Sequence, residues 1–155
     1  LTGFTADETL LCRAEAYALK NDLANATNDI NLWLESHTLQ KLQVSTKEIV
    51  DFYAKAKTMP LDNSARSIKK AINPLGFTVA EGDQMEIIQC LLHLRRIETI
   101  HEGLRFQDIK RYGIEIAHNR EGLENDVLTL DDPRRAIQLP QDVIDAGLEA
   151  NPRNK

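Results

Sequence analysis

The residues best suited to chemistry in this chain are two Glu-x-x-His pairs, Glu98/His101 and Glu115/His118. On a helix that spacing sets a carboxylate and an imidazole one turn apart, the arrangement used in di-iron carboxylate bundles. Such a centre needs the pairs on separate facing helices, with a further glutamate from each of two more helices. Here seventeen residues separate the pairs, and Gly113 stands between them. Placed on a strand, Glu115 and His118 would point to opposite faces and could not chelate together. The plainer reading makes all four ordinary polar residues, with Glu98 paired to an arginine. No metal ligand and no cofactor is therefore assigned.

The stretch from Leu94 to Gly113 carries Arg96, Glu98, Glu102, Gly103, Arg105 and Asp108 among apolar residues at helical spacing. These charges cannot all be buried unless they pair with one another. Arg105 and Asp108 are three apart, and Glu98 and Glu102 four apart, so each couple shares a helix face. The set reads as a structural brace that fixes how a long helix meets its neighbours; a general acid–base pair is the alternative. Gly103 costs about 1 kcal/mol against alanine in a helix interior. It is expected to admit another backbone or to mark a break between two helices. Close packing there would make Gly103→Leu destabilising.

Other chemistry-bearing residues have bland readings. Trp33, Tyr53, Phe106 and Tyr112 are the flat aromatics that could stack on a sugar, but Trp33 and Phe106 lie on apolar helical faces and read as core. No glycan site is assigned within the chain. Cys12 and Cys90 lack metal-type spacing and sit in apolar helical contexts, as buried free thiols do; two cysteines make no disulfide framework. Arg134 and Arg135 are expected to clamp a hairpin to the helices. There is no Ser/His/Asp order, phosphate-binding loop or dinucleotide fingerprint.

The elements that must position these residues are mainly helical. Thr5-x-x-Glu8, Ser45-x-x-Glu48 and Asp83-x-x-Glu86 each place an N-cap acceptor three residues before a glutamate, the pattern of a capping box. They predict helices over 6–20, 46–57 and from 84 onward. Asn21-Asp22 interrupts the first and starts a second over 23–35, which favours an antiparallel hairpin. The predicted buried faces are Leu10, Ala14, Tyr17 and Ala18; Leu23, Ala26, Ile30, Trp33 and Leu34; and Ile49, Val50, Phe52 and Tyr53. Residues 58–82 are loop-rich, with a short helix over 64–72. The longest helix is expected over 84–112, bent at Gly103. A short β-hairpin follows across 119–126, then an irregular tail with one helical turn over 142–146.

Three segments carry a family resemblance. The run Leu94-Arg95-Arg96-Ile97-Glu98 continuing to Glu102-Gly103-Leu104-Arg105-Phe106-Gln107-Asp108-Ile109-Lys110-Arg111-Tyr112-Gly113 resembles the C-terminal signature of the SusD/RagB family of outer-membrane nutrient-binding lipoproteins. It departs from that signature at Leu94, where the family usually has glutamate, and at Thr99, where it often has leucine. Leu10-Leu11-Cys12-Arg13-Ala14-Glu15-Ala16-Tyr17 resembles an earlier segment of the same family, and 132–141 with Ile144-Asp145 and Asn151-Pro152 its C-terminus. The three occur in family order across almost the whole chain. Residues 10–34 also look like one tetratricopeptide-type hairpin, in which small residues on one helix receive large ones from the other.

The resemblance implies a fold of tetratricopeptide-like helical hairpins with a short β-hairpin and an irregular C-terminal tail. It divides the chain, residues 1–155, into a hairpin plus third helix (1–57), a loop-rich stretch (58–82), a long helical region (83–113) and a hairpin with tail (114–155). It implies a non-catalytic role: capture of a glycan or other nutrient at the cell surface, beside a SusC-like TonB-dependent outer-membrane transporter, with membrane attachment only through a lipid anchor outside this segment. The start at Leu1 suits a processed or excised fragment. A tetratricopeptide-type protein-interaction module is the alternative. At 155 residues and net charge −5, the chain can bury about 70% of its unfolded surface and lacks the basic balance of a nucleic-acid binder.

Overall fold

The computed structural model describes residues 5–62, 64–100 and 102–153. The described residues form a mainly helical fold with one small antiparallel sheet. In chain order the elements are α1 (Ala6–Leu19), α2 (Leu23–His37), α3 (Thr46–Lys55), α4 (Asp83–Glu98), α5 (Arg105–Arg111), β1 (Ile116–His118), β2 (Asp126–Leu128) and α6 (Gln141–Asp145). A 3-10 turn, Pro133–Arg135, precedes α6. Among the described residues no helix is long and apolar enough to cross a membrane.

Local capping explains the first three helix starts. The Glu8 amide donates to Thr5 Oγ1 at 3.0 Å, and the Asn25 amide to Asp22 Oδ1 at 3.3 Å. Ser45 closes a reciprocal box: it accepts from the Glu48 amide at 3.2 Å while Glu48 accepts from the Ser45 amide at 2.8 Å. At α4 the expected box does not form. Gly82 is the N-cap, Asp83 is already helical, and Glu86 turns to Lys69 at 2.6 Å. A charge-assisted contact with a mostly buried lysine outweighs a return bond to the backbone.

The second helix folds back on the first through Asn21, which takes a positive φ of 60°. Ala14, Ala18 and Ala26 are fully buried between them with Leu11 and Ile30, so small side chains let the two helices approach closely. Laid across this pair and against α3 is α4. Ile87, Ile88, Cys90, Leu91, Leu92 and Leu94 are all buried along it, which marks it as the central helix of the core. Each large aliphatic side chain buried there contributes about 1.5–3 kcal/mol. Gln84 at its start donates to the Ala18 carbonyl at the end of α1, 2.8 Å away, while Arg95 near its end reaches Cys12 of α1 at 3.0 Å. Thus α4 runs antiparallel to α1.

Four expectations are corrected. The long helix does not continue to Tyr112 but stops at Glu98, and α5 starts at Arg105. Thr99 turns its hydroxyl back to the Arg95 carbonyl at 2.8 Å, a local bond that competes with helix continuation. Gly103 follows with φ of 77°, and no neighbouring atom lies within 4 Å of where a Cβ would stand. Gly103 therefore marks the break, and the close packing expected at it is absent. Second, the helix expected over 64–72 is extended chain. Thr58 and Lys69 form a parallel bridge, and the buried Gln89 side chain accepts from the Lys70 amide at 3.2 Å and donates to the Lys70 carbonyl at 2.7 Å. Tertiary partners for its backbone groups replace intrahelical ones. Third, Phe52 is 59% exposed rather than in the core. Fourth, Cys12 is exposed; only Cys90 is a buried thiol.

The C-terminal third is bolted on by backbone contacts. The Asn73 amide donates to the Tyr112 carbonyl at 2.8 Å and the Leu75 amide to the Arg111 carbonyl at 3.1 Å, satisfying carbonyls that the end of α5 leaves free. The crossing is tight at Gly113. Its φ is 56°, and a Cβ there would stand 2.0 Å from the Asn73 carbonyl oxygen. The β-hairpin pairs Ile116 with Leu128, Ala117 with Val127 and His118 with Asp126. Arg135, from the 3-10 turn, donates to the carbonyls of Thr129 at 2.6 Å, Ile114 at 2.6 Å and Ile109 at 3.3 Å. Arg134 pairs with Asp132 at 2.7 Å and Asp126 at 2.8 Å. Of the expected clamp between hairpin and helices, Arg135 alone reaches a helix, through the Ile109 carbonyl of α5, while Arg134 ties β2 to the turn that follows it.

The two glycines should respond differently to alanine. Gly103→Ala meets open space, so its cost is the left-handed backbone alone, about 1–2 kcal/mol. Gly113→Ala adds a backbone collision and should lower the thermal midpoint far more; equal losses by thermal unfolding would contradict the crossing.

Candidate functional site

Two features converge near the break in the helical region: a buried ion-pair brace and a cleft beside it. In the brace Arg95 occupies the place that the sequence reading gave to Arg96. Arg95 Nε donates to Asp108 Oδ1 and Oδ2 at 3.1 and 3.3 Å. Arg111 and Arg105 approach the same carboxylate at 3.5 and 4.0 Å, and Asp108 is only 1% exposed. Burial works against the Arg95 charge, but Asp108 and Cys12 outweigh it and hold the guanidinium above its ordinary pKa. From α1, the buried Glu15 accepts from Arg111 Nη2 at 2.8 Å and from the Tyr112 hydroxyl. Burial, reinforced by the Glu15 carboxylate, pushes the Tyr112 phenol well up.

Of the residues predicted to form the network, Arg105 and Asp108 do meet, at 4.0 Å. Glu98 is elsewhere, with no arginine paired to it among the described residues. It accepts from Trp33 Nε1 at 2.8 Å and pairs with His37 Nε2 at 3.2 Å. Glu102 is exposed and makes no ion pair among the described residues. Arg96 faces the cleft and likewise has no ion-pair partner among the described residues. The reason is geometric. The predicted set was read along a helix running to Tyr112 with a bend at Gly103, whereas α4 ends at Glu98 and α5 starts only at Arg105.

The cleft has a volume of about 220 Å³. Lys70 from the extended segment, Arg96 from α4 and Arg105 from α5 line it with Glu115, over a floor that includes Met59, Ile109, Ile114 and Ile116. Burial lowers the pKa of Lys70, and Arg96 and Arg105 lower it further. Burial also lowers Arg105, with Asp108 opposing and Arg96 and Arg95 adding to the drop. His93 is lowered by burial and then by the same Arg96 and Arg105. The cleft is thus a region of positive potential. Sequence reasoning missed it because Lys70 was placed on a helix. The available signal was five cations, Arg95, Arg96, Arg105, Lys110 and Arg111, against three acids within 94–113.

The aromatics named as sugar-stacking candidates are engaged internally. Trp33 is buried and stacked on His37 at 4.1 Å. Tyr53 is buried with its hydroxyl 2.9 Å from His93 Nδ1, Tyr112 is held by Glu15, and Phe106 is half-buried beneath the Lys110 ammonium at 5.9 Å. Cys90 is a core thiol that burial pushes up to about 12.

Of the two Glu-x-x-His pairs, only Glu115/His118 lies wholly among the described residues. His101 lies outside the described residues, Glu115 accepts from the Leu130 amide at 3.2 Å, and His118 is exposed opposite Asp126 in the hairpin. The residues that could hold a metal are different ones: Asp7, His37 and Glu98 each bring a donor atom within 4.8 Å of the others. The chain matches no protein family, no curated protein and no solved structure with which it was compared.

Asp108→Asn keeps the shape and leaves Arg95 buried without its counter-charge, which should cost about 3–5 kcal/mol in urea unfolding, whereas breaking the exposed Lys47–Asp51 pair should change nothing measurable. A second outcome concerns acid. Since the native His93 pKa lies below its unfolded value, the unfolded chain binds more protons as the pH falls from about 6.5. Stability contributed by neutral His93 should therefore be present above that pH and decline below it. His93→Gln should flatten this part of the stability–pH curve.

Proposed function

We propose that this chain is the late portion of a SusD/RagB-like surface lipoprotein, built on a tetratricopeptide-type helical hairpin and serving non-catalytic capture of a glycan or other nutrient for a SusC-like TonB-dependent transporter. One observation supports this reading above the others. The three segments that carry the resemblance are far apart in sequence but touch in the fold. Glu15 from the first is bonded to Arg111 and Tyr112 from the second, and Arg135 from the third is bonded to the carbonyl of Ile109 in the second and to that of Ile114, the residue after it. These contacts would give the three motifs a reason to occur together, and a brace whose acids, Asp108 and Glu15, are both held by arginines is suited to holding shape rather than to proton transfer.

A tetratricopeptide-type interaction module is the second reading. It is favoured by the apolar side chains Leu32, Leu39, Leu42 and Phe52, exposed on α2, α3 and the loop between them, since exposed apolar groups that join into one patch mark partner surfaces.

The native gene product separates the two. On the first reading it takes up a palmitate analogue, is protease-accessible on intact cells and co-purifies with an outer-membrane barrel transporter. Recovery from the cytosol without lipid would overturn it.

A further inference from the structure

We propose that the cleft between the 59–71 segment, α4 and α5 is a binding site for a small anionic ligand, whose carboxylate or phosphate group is held by Lys70, Arg96 and Arg105.

The first argument is charge balance. Elsewhere among the described residues the cations drawn into the fold are matched by oxygen acceptors: Lys69 has Glu86 at 2.6 Å, Arg95 has Asp108 at 3.1 Å, Arg111 has Glu15 at 2.7 Å, and the buried Arg135, which has no acid, has the carbonyls of Thr129 and Ile114 at 2.6 Å. The cleft is the exception. Among the described residues the acceptor of Lys70 Nζ is the Met59 thioether, a weak one. Arg96 has no acid among the described residues, and Arg105 has a 4.0 Å share in Asp108, which Arg95 already holds more closely, and a long 3.4 Å bond to the Leu92 carbonyl. Three cations face one carboxylate, Glu115, and that one is bonded to the Leu130 amide. Like charges gathered out of water repel, and a fold selected for stability alone would replace one of them.

The second argument is construction. Lys70 is not a loose surface lysine: Gln89, 3% exposed, takes both of its backbone groups and fixes its place on the cleft wall. Arg96 comes from α4 and Arg105 from α5, and the Gly103 break is what lets these two helices offer their arginines to one volume. Two planar guanidinium forks with one ammonium suit the oxygens of a carboxylate or a phosphate. The floor of Met59, Ile109, Ile114 and Ile116 seats an apolar or sugar face beside the charged group. At about 220 Å³ the cleft is smaller than the ~300–1,000 Å³ typical of drug-sized ligands, which limits the occupant to the size of one acidic monosaccharide or a phosphorylated fragment. The depressed pKa values of Lys70 and Arg105 agree with an unneutralised positive field. The cleft has this character whether or not the chain sits at a cell surface.

Calorimetric titration of the intact chain tests the site, with inorganic phosphate and glucuronate as separate anionic probes and glucose as the neutral one. At least one anion should bind at a single saturable site, at least about tenfold more tightly than glucose; which of the two does so names the group. Arg96→Gln and Lys70→Met should each weaken that binding by at least about tenfold. Without ligand, both variants should melt at or above the parent temperature, because a repulsion has been removed. A purely structural role for these cations predicts the opposite shift. The proposal is overturned if neither anion saturates at millimolar concentration, if glucose binds as tightly, if the variants bind undiminished, or if both variants lose ligand-free stability.

Discussion

Asp108 carries a negative charge into an almost dry interior, and the geometry of the C-terminal half follows from neutralising it. Arg95 holds both of its oxygens, and Arg105 and Arg111 stand at the edge of the same carboxylate. A buried ion pair of this kind adds little net stability relative to apolar packing, but losing one partner is very costly. It therefore selects one arrangement of α4 and α5 rather than merely strengthening whichever one forms. Glu15 extends the selection to α1 through Arg111 and Tyr112, so three helices are registered by two carboxylates.

The helix break is the condition for that pair. Thirteen residues along one uninterrupted helix would put Asp108 about 20 Å from Arg95. The observed contact is 3.1 Å, which requires the chain to turn back between Thr99 and Leu104. Thr99 ends the helix by bonding its own backbone four residues earlier, and Gly103 supplies a conformation that a side chain would resist. The same turn brings Arg105 beside Arg96, so the device that makes the brace also assembles the cationic cleft. Shape and candidate site are consequences of one reversal.

Backbone accounting explains the rest of the C-terminal region. The end of α5 leaves carbonyls that the 73–75 segment and Arg135 both take up. Gly113 allows the first of these to come within contact distance. Arg135 then bonds to β2 and to the residue after it as well, so one guanidinium substitutes for the sheet neighbours that a two-stranded hairpin lacks.

What could be read in the sequence was what short-range physics decides. Thr5, Asp22 and Ser45 cap helices because their acceptors reach amides only three residues away, and Ala14, Ala26 and Ile30 are buried because helical periodicity puts them on one face. The β-hairpin was legible for the same reason, as were Arg105 and Asp108 as a pair. Long-range competition decided the remainder. Glu86 left its capping role for Lys69, residues 64–72 gave up helical bonds for Thr58 and Gln89, and Glu98 found Trp33 and His37 instead of an arginine. Gly103 looked the same in sequence whether it served packing or a break, since a missing side chain does not say which constraint removed it. Lys70, Arg96 and Arg105 lie in segments that local rules treat separately. Only the folded chain, by turning α5 back on α4, brings their charges into one cleft.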